Sequence, residues 1–266
     1  MTDRLAVGPP GRRRAARAVR AIAAAVLPAA LRRWLRAQQR RLGLHRAPVG
    51  SVNFGALRRV SPVSPVFGIE RGLPIDRYYI ERFVSGRAAD VRGRVLEIGD
   101  ARYTRKFGGD RVTRSEVLHL LDGDPDVTIV ADLTRADHVP ADAFDCIICT
   151  QTIQMIYEPR PAVAHLHRIL RPGGVLLITA HGTSRIARRE GVDPWGEYWR
   201  MTAQGMRRLL AERFPADRIE IATYGNVLAA VASLHGLAAE DLDRGELDYL
   251  DPDFEVLVAA RAVKAT

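Results

Sequence analysis

The stretch RVLEIGD, residues 94–100, decides the fold. Three apolar residues lead into an acid and a glycine, which predicts a short buried strand over 95–99 that ends in a tight turn. A glycine at that turn lets the backbone pass close to a ligand because it has no Cβ. In open α/β sheets, ligands bind beyond the carboxyl ends of the strands. The stretch therefore predicts the first strand of a nucleotide-type site. The alternative is an ordinary junction between a strand and a turn, with no ligand.

Short apolar runs recur along the rest of the chain, separated by helical or turn segments. They predict further strands at 117–121, 127–131, 144–150, 175–179, 219–223 and 254–260. Two segments, 76–87 and 162–170, have the apolar spacing of helices, and Asp76 is predicted to be the N-cap of the first. Together these runs predict an α/β fold whose mostly parallel sheet is covered on both faces.

Positive charge is concentrated at one end of the chain. The 266 residues carry a formal net charge of +9. Residues 1–46 contain twelve arginines and one acid, a balance of +11, whereas the other 220 residues contain 28 basic and 30 acidic groups, a balance of −2. We predict a basic amphipathic arm at 1–46, a proline-containing connector at 47–75 and a catalytic domain at 76–266.

The arm has the pattern of a helix over residues 14–42, with a leucine stripe and an arginine stripe. Its apolar run at 21–31 is too short to span a bilayer, which needs about 20 residues. A basic amphipathic helix is typical of proteins that bind an anionic membrane surface. The alternatives are a helix packed on the domain and a solvated arm. Nucleic acid is not an expected partner, because aromatic residues are sparse and the basic excess ends at residue 46. We expect a cytoplasmic protein, with peripheral attachment to the inner face of the membrane as one option.

The two cysteines, Cys146 and Cys149, fall within the predicted strand at 144–150. At this spacing in a strand they point to opposite faces, so they cannot form a disulfide with each other. We expect two buried thiols. No second cluster of Cys and His suggests a metal site.

Five segments in order resemble a class I S-adenosylmethionine-dependent methyltransferase: VLEIGD, VLHLLD, TIVADL, FDCIICTQT and RILRPGGVLLIT. The resemblance runs from about residue 94 to residue 179, and its strongest piece is the helix, PGG and strand of the last segment. The segments RGLPIDRYYIERF, WGEYWRMT and YGNVLAAVASLHG resemble a subgroup often encoded beside glycosyltransferases. The resemblance implies a Rossmann-like, seven-stranded sheet in the order 3-2-1-4-5-7-6, with its last strand antiparallel, and S-adenosylmethionine as the cofactor.

The resemblance also implies a set of cofactor-binding residues at the ends of the strands. These are Glu97, Gly99, Asp100, Tyr103, Asp122, Asp132, Leu133, Thr150 and Gln151. Glu97 is expected either to pair with the cationic end of the cofactor or to order the turn at Gly99. Asp122 is placed to accept both ribose hydroxyls, and Asp132 to hold the adenine edge. For each acid, the alternative is a strand-end residue that caps the next helix.

The turn after the first strand departs from the family pattern. The family often has Gly-x-Gly-x-Gly there, whereas this chain keeps only Gly99, with Ala101 and Tyr103 at the other two glycine positions. The methionine end of the cofactor normally lies on that turn. Either the loop takes another path, with Tyr103 or Arg102 joining the site, or cofactor binding is weakened.

Catalysis requires donor and acceptor to be aligned, and a general base where the acceptor must lose a proton. His181, after the predicted fifth strand, is the candidate base; the alternative is a neutral loop histidine. An aromatic loop that is expected to bind the acceptor contains Trp195, Tyr198, Trp199 and Arg200. The sequence thus predicts O-methylation of a sugar, a glycan precursor or another small molecule. The alternative is a non-catalytic or regulatory binding module anchored by its basic helix.

Overall fold

A computed structural model describes residues 52–187, 193 and 195–266, together with the isolated positions 28, 31, 34 and 38. The chain divides into two units, residues 1–58 and residues 59–266. In the first unit, positions 31, 34 and 38 are helical and a short 3₁₀ turn spans Gly55–Leu57. Most of the helix predicted for 14–42 lies outside the described residues.

Seven strands of the second unit form one sheet in the order β3-β2-β1-β4-β5-β7-β6. Their bounds are β1 Gly93–Ile98, β2 Val112–His119, β3 Ile129–Val130, β4 Phe144–Thr150, β5 Leu170–His181, β6 Ile219–Tyr224 and β7 Leu257–Val263. The first five strands pair in parallel, and β7 runs antiparallel to both β5 and β6. The predicted strand order and the antiparallel last strand are confirmed.

Six α-helices lie in the described part of this unit. They are α1 Ile75–Ser85, α2 Arg102–Phe107, α3 Pro159–Ile169, α4 Ala203–Ala211, α5 Val227–His235 and α6 Arg244–Asp248. The prediction that Asp76 is the N-cap of α1 is wrong, because Pro74 occupies that position with a φ of −53°. Pro74 is held by a bridge to Ala238, and its fixed φ lets the chain enter the helix directly after it. Asp76 therefore lies in the first turn.

The sheet is covered on both faces by apolar side chains. Leu166 of α3 and Met206 of α4 belong to the buried cluster on one face. Tyr79 of α1 and Ala230 of α5 belong to the cluster on the other face. Parallel strands need such cover on both sides, because the crossover helices lie against them.

The two cysteines confirm this alternation of faces. Cys149 lies in the cluster beneath α3, whereas Cys146 lies in the cluster beneath α1, and both are free thiols. Burial raises the pKa of Cys149 to about 12, so this thiol stays protonated and unreactive at neutral pH.

Within the second unit, the residues that precede α1 contact the end of α5. The amides of Val63 and Ser64 donate to the carbonyl of His235 at 2.8 and 3.1 Å. The amide of Ala239 donates to the carbonyl of Leu73 at 2.7 Å. This part of the predicted connector thus lies against the end of α5. The domain boundary at 75/76 stays a prediction. Among the helices that the structure describes, none is both long and apolar enough to cross a membrane.

Candidate active site

A cavity of about 700 Å³ opens at the carboxyl ends of the parallel strands. Ile98 and Gly99 line it from β1, Leu118 and His119 from β2, and Thr150 from β4. This is the edge at which open α/β sheets bind ligands. The first turn of α1 and the segment around residues 195–198 complete its wall.

Most of the residues that the sequence nominated meet on this cavity. Its lining includes Gly99, Asp100, Tyr103, Asp132, Leu133, Thr150, Gln151, His181, Trp195 and Tyr198. Four nominated residues, Glu97, Asp122, Trp199 and Arg200, lie outside that lining.

Glu97 is a buried carboxylate beneath the turn that follows β1. It accepts hydrogen bonds from the amides of Tyr103 at 3.0 Å and Thr104 at 2.7 Å, and so caps the start of α2. Burial raises the pKa of Glu97, and the two amide bonds oppose that shift. This geometry is the one expected from the alternative interpretation of Glu97, a strand-end acid that caps the next helix.

The turn after β1 keeps a single glycine, Gly99. Gly99 has a φ of +97°, and a Cβ built there would meet no heavy atom within 4 Å. The side chain of Asp100 accepts the amide of Arg102 at 2.8 Å. Tyr103 is buried on the cavity wall, and its hydroxyl accepts a hydrogen bond from Arg77 at 3.3 Å. Of the two residues predicted to join the site, Tyr103 lines the cavity, whereas Arg102 points to Asp100.

At the end of β2 the cavity is lined by His119 and Leu120. Asp122 lies three residues beyond the end of this strand and accepts the amide of Gly123 at 2.8 Å. At the end of β3, Oδ1 of Asp132 accepts the amide and the hydroxyl of Thr134, both at 2.8 Å. Asp132 thus holds its own loop while its carboxylate lines the cavity.

Gln151 follows β4 with a φ of +50°, an unusual conformation for a residue with a side chain. Its backbone amide donates to the carbonyl of Thr179 at 3.0 Å, and its Oε1 accepts Nε2 of Gln154 at 2.8 Å. Nε2 of Gln151 is buried and has no hydrogen-bond partner among the described residues. Gln151 lines the cavity, and strained backbone of this kind is found at ligand-binding sites.

His181 ends β5 with a side chain that is 4% exposed. Burial lowers the pKa of His181, and the charges of Asp76 and Glu197 oppose the shift. The imidazole is therefore neutral at neutral pH. Its backbone carbonyl accepts the amide of Met201 at 2.9 Å, which ties the aromatic loop to the strand.

The aromatic loop is fixed to the segment after β4. The amides of Tyr198 and Trp199 both donate to the carbonyl of Gln154, at 2.9 and 3.2 Å. The ring of Trp195 meets that of His119 edge to face, with 6.3 Å between centroids. The loop therefore reaches across to the end of β2.

Trp199 and Arg200 lie outside the cavity lining and make contacts that hold the aromatic loop. Trp199 donates its indole N–H to the carbonyl of Ile156 at 3.0 Å. It lines a separate cleft of about 550 Å³ beside α3 and α4. Arg200 pairs with Glu197 at 2.5 Å and donates to the carbonyl of Arg185 at 2.9 Å. Both contacts hold the loop in shape.

Several lining residues were missed by the sequence analysis. They come from α1 and the segment before it, and from the segment after β4: Phe67, Ile69, Pro74, Asp76, Arg77 and Tyr157. For Pro74, Asp76 and Arg77 the signal was the resemblance carried by RGLPIDRYYIERF, which assigned no role to individual residues; the other three had no signal in the sequence analysis. Within the described residues, no group of three or more His, Cys, Asp or Glu side chains is arranged to hold a metal ion.

Residues 94–178 match a family model described as a methyltransferase domain. The matched segment runs from β1 into β5, and the sheet has the strand order that the resemblance implies. Residues 94–178 thus carry a methyltransferase domain, and the sheet has the class I strand order. S-adenosylmethionine is the cofactor of this class.

Three solved structures illustrate the similarity. The N-methyltransferase NodS from Bradyrhizobium japonicum WM9, in complex with S-adenosyl-L-homocysteine, is 15% identical with a TM-score of 0.49; the match covers 79% of this chain and 95% of NodS. An S-adenosylmethionine-dependent methyltransferase from Mesorhizobium loti is 16% identical with a TM-score of 0.45, covering 71% of this chain and 98% of the other. The [4+2]-cyclase SpnF is 17% identical with a TM-score of 0.45, covering 74% and 85%. No curated protein sequence matches the chain.

The cavity fits this cofactor on its own features. Its volume of about 700 Å³ lies in the range of small-molecule sites. Gly99, with open space where a Cβ would stand, lines the same cavity as Asp132 and Gln151. Gly99 and Asp132 would hold opposite ends of the cofactor, because they end β1 and the outermost parallel strand.

Proposed function

We propose that this chain is an enzyme that transfers the methyl group of S-adenosylmethionine to a hydroxyl, on a sugar, a glycan precursor or another small molecule. The observation that carries the proposal is His181, a buried imidazole on the cavity wall at the end of β5. The bound cofactor supplies a methyl group that is already activated by a positive sulfur. A hydroxyl has a high pKa, so its proton must be taken as the methyl group arrives.

His181 is suited to take that proton. A histidine with the ordinary pKa of about 6.5 is roughly three quarters neutral at pH 7. Burial lowers the pKa of His181 and increases the neutral fraction. Asp76 and Glu197 favour the cationic form by their charge, so they would stabilise the imidazolium once the proton is bound.

The aromatic side chains on the cavity wall are consistent with a sugar or another cyclic acceptor. Phe67, Tyr157, Trp195 and Tyr198 line the cavity together with His181. The rings of Tyr157 and Tyr198 pack edge to face, with 5.2 Å between centroids, which fixes both of them. Aromatic faces bury the apolar side of a ring, and a tyrosine hydroxyl adds a polar contact.

The test measures release of S-adenosylhomocysteine from the full chain with S-adenosylmethionine and a panel of acceptors. The panel pairs free sugars, sugar nucleotides and phenols with carboxylate acceptors, which need no base. We expect turnover on a hydroxyl acceptor, and a loss of roughly 10²–10⁴-fold in His181→Asn with cofactor affinity unchanged. The matched control is His165→Asn on α3, which lies outside the cavity lining and should keep the wild-type rate.

The pH dependence gives a second readout. The rate should fall as the pH drops through the lowered pKa of His181, because protonation removes the base. Methylation confined to carboxylates would refute the hydroxyl acceptor. A near-full rate in His181→Asn would remove His181 as the base and leave alignment of donor and acceptor as the source of the rate. Cofactor binding without turnover on any acceptor would favour the non-catalytic module.

A further inference from the structure

The turn after β1 offers little to an anionic ligand. Three successive amides, those of Arg102, Tyr103 and Thr104, already donate to the carboxylates of Asp100 and Glu97 at 2.7 to 3.0 Å. A ligand carboxylate placed there would meet two negative side chains in place of open N–H groups. A cation from elsewhere is needed if this wall is to hold the carboxylate of the cofactor.

Arg77 supplies a cation on the same wall. It is the third residue of α1, it is half-buried, and it lines the cavity together with Gly99, Asp100 and Tyr103. Among the described residues its guanidinium donates one hydrogen bond, to the hydroxyl of Tyr103, and forms no ion pair within 4.0 Å. An arginine has five N–H donors, so most of its donor capacity is open toward the cavity.

Other half-buried arginines in this fold have found their partners. Arg94 pairs with Glu116 at 2.5 Å, and Arg261 pairs with Asp90 at 2.8 Å. Leaving a half-buried charge unpaired is costly, and such a charge is commonly matched by a ligand. Arg77 feels the charges of Asp76 and Asp100, but among the described residues neither carboxylate lies within ion-pair distance of it, so its donors remain available to an anion.

Tyr103 holds the guanidinium in place. Its ring is buried and stacks on Phe107 with 6.3 Å between centroids. Burial raises the pKa of Tyr103, so its hydroxyl remains a neutral acceptor for Arg77. The residue at the third glycine position of the turn is thus the one that orients the cation.

We propose that Arg77 binds the α-carboxylate at the amino-acid end of S-adenosylmethionine, with Tyr103 as its positioning residue and Asp100 available to the neighbouring ammonium group. A planar carboxylate matches the two parallel donors of a guanidinium. A cation and an acid on one wall complement a zwitterion. The proposal rests on the cofactor of this domain class, and it holds whichever acceptor is methylated.

The test compares three ligands by calorimetry on the full chain, without an acceptor. S-adenosylhomocysteine has the whole amino-acid end, decarboxylated S-adenosylmethionine keeps the ammonium alone, and 5′-methylthioadenosine lacks both groups. Arg77→Met should lower the affinity for S-adenosylhomocysteine by 10- to 100-fold, about 1.4–2.7 kcal/mol. The affinities for the other two ligands should be unchanged. Arg77→Lys should retain part of the affinity, because lysine keeps the positive charge but lacks the two parallel donors of the guanidinium.

Controls separate contact from folding. Arg82→Met on the same helix removes an ion pair with Asp248 outside the cavity lining, and should leave all three affinities unchanged. Tyr103→Phe should lower the affinity for S-adenosylhomocysteine alone, and by a smaller factor than Arg77→Met does. The proposal is overturned if Arg77→Met weakens all three ligands equally, or none of them, in a variant that melts as the wild type does. Because no acceptor enters the measurement, failure of the hydroxyl proposal cannot produce either result.

Discussion

Gly99 offers a direct test of where the cofactor passes the backbone. Gly99 has a φ of +97° and Gly123 a φ of +121°, and a Cβ at either would meet no heavy atom within 4 Å. Substitution by alanine therefore costs backbone strain in both places, and no steric clash in the protein itself. Residues held in such sparsely populated regions cost about 1–3 kcal/mol. For a domain of this size, each kcal/mol lowers the melting temperature by about 2–4 °C.

The two glycines differ in what lies beside them. Gly99 lines the cavity, whereas Gly123 is an exposed residue of the loop after β2 and lies outside the lining. We expect Gly99→Ala and Gly123→Ala to lose similar stability. Only Gly99→Ala should lose affinity for S-adenosylhomocysteine, by 10-fold or more, which corresponds to at least about 1.4 kcal/mol.

Thermal unfolding measures the first quantity and titration calorimetry the second. Wild-type affinity in Gly99→Ala would mean that the cofactor does not approach this turn, and the site assignment would fail. An equal loss of affinity in Gly123→Ala would mean that strain, and not proximity, weakens binding.

Three further predictions concern the cofactor wall and the arm. The raised pKa of Glu97 means that the carboxyl group releases its proton at a higher pH in the folded protein than in the unfolded chain. The free energy of unfolding should therefore fall as pH rises from about 4.5 through the folded pKa. Glu97→Gln should lack this component in denaturant titrations, and an identical pH dependence in both proteins would refute the prediction. Asp132→Asn, which keeps the oxygen that Thr134 uses, should weaken S-adenosylhomocysteine about 10-fold if the carboxylate faces the adenine amine; unchanged affinity would move the adenine elsewhere. Deleting residues 1–46 should leave cofactor affinity unchanged, since no described cavity residue precedes Phe67, and should abolish salt-dependent binding to anionic vesicles, worth roughly 1 kcal/mol per arginine near the surface; vesicle binding by the truncated chain would exclude the arm as the anchor.

The sequence predicted strands best where the sheet is buried on both faces. The bounds of β4, Phe144–Thr150, match the prediction because its FDCIICT run lies at the centre of the sheet. The prediction for β2 began five residues late. β3 pairs with only Leu118 and His119 of β2, so the first part of β2 has a free edge that tolerates polar side chains. An apolar run cannot mark a strand segment of that kind.

The site residues could be predicted where they follow a strand, and could not be predicted where their position depends on packing between distant segments. The strand-end rule pointed to Gly99, and the family resemblance added Asp132 and Gln151; all three line one cavity, because each follows a recognisable strand. Arg77 could not be found in this way. Its place depends on α1 packing against the sheet through the buried Tyr79, a contact between distant segments that no local period encodes. The aromatic loop was found by composition, but composition does not state which side chains face inward.

The loss of glycines from the turn after β1 and the position of Arg77 are related through Tyr103. Tyr103 occupies the third glycine position, where a buried aromatic ring fills space against α1 and holds the guanidinium of Arg77. Glu97 and Asp100 meanwhile take the amides that a glycine-rich turn would leave open to a ligand. In our proposal, the guanidinium of Arg77 supplies the donors that these occupied backbone amides cannot offer to a ligand. Because a guanidinium stays charged at any physiological pH, this arrangement maintains a positive partner for a carboxylate on the wall where the carboxylates of the turn would otherwise repel it.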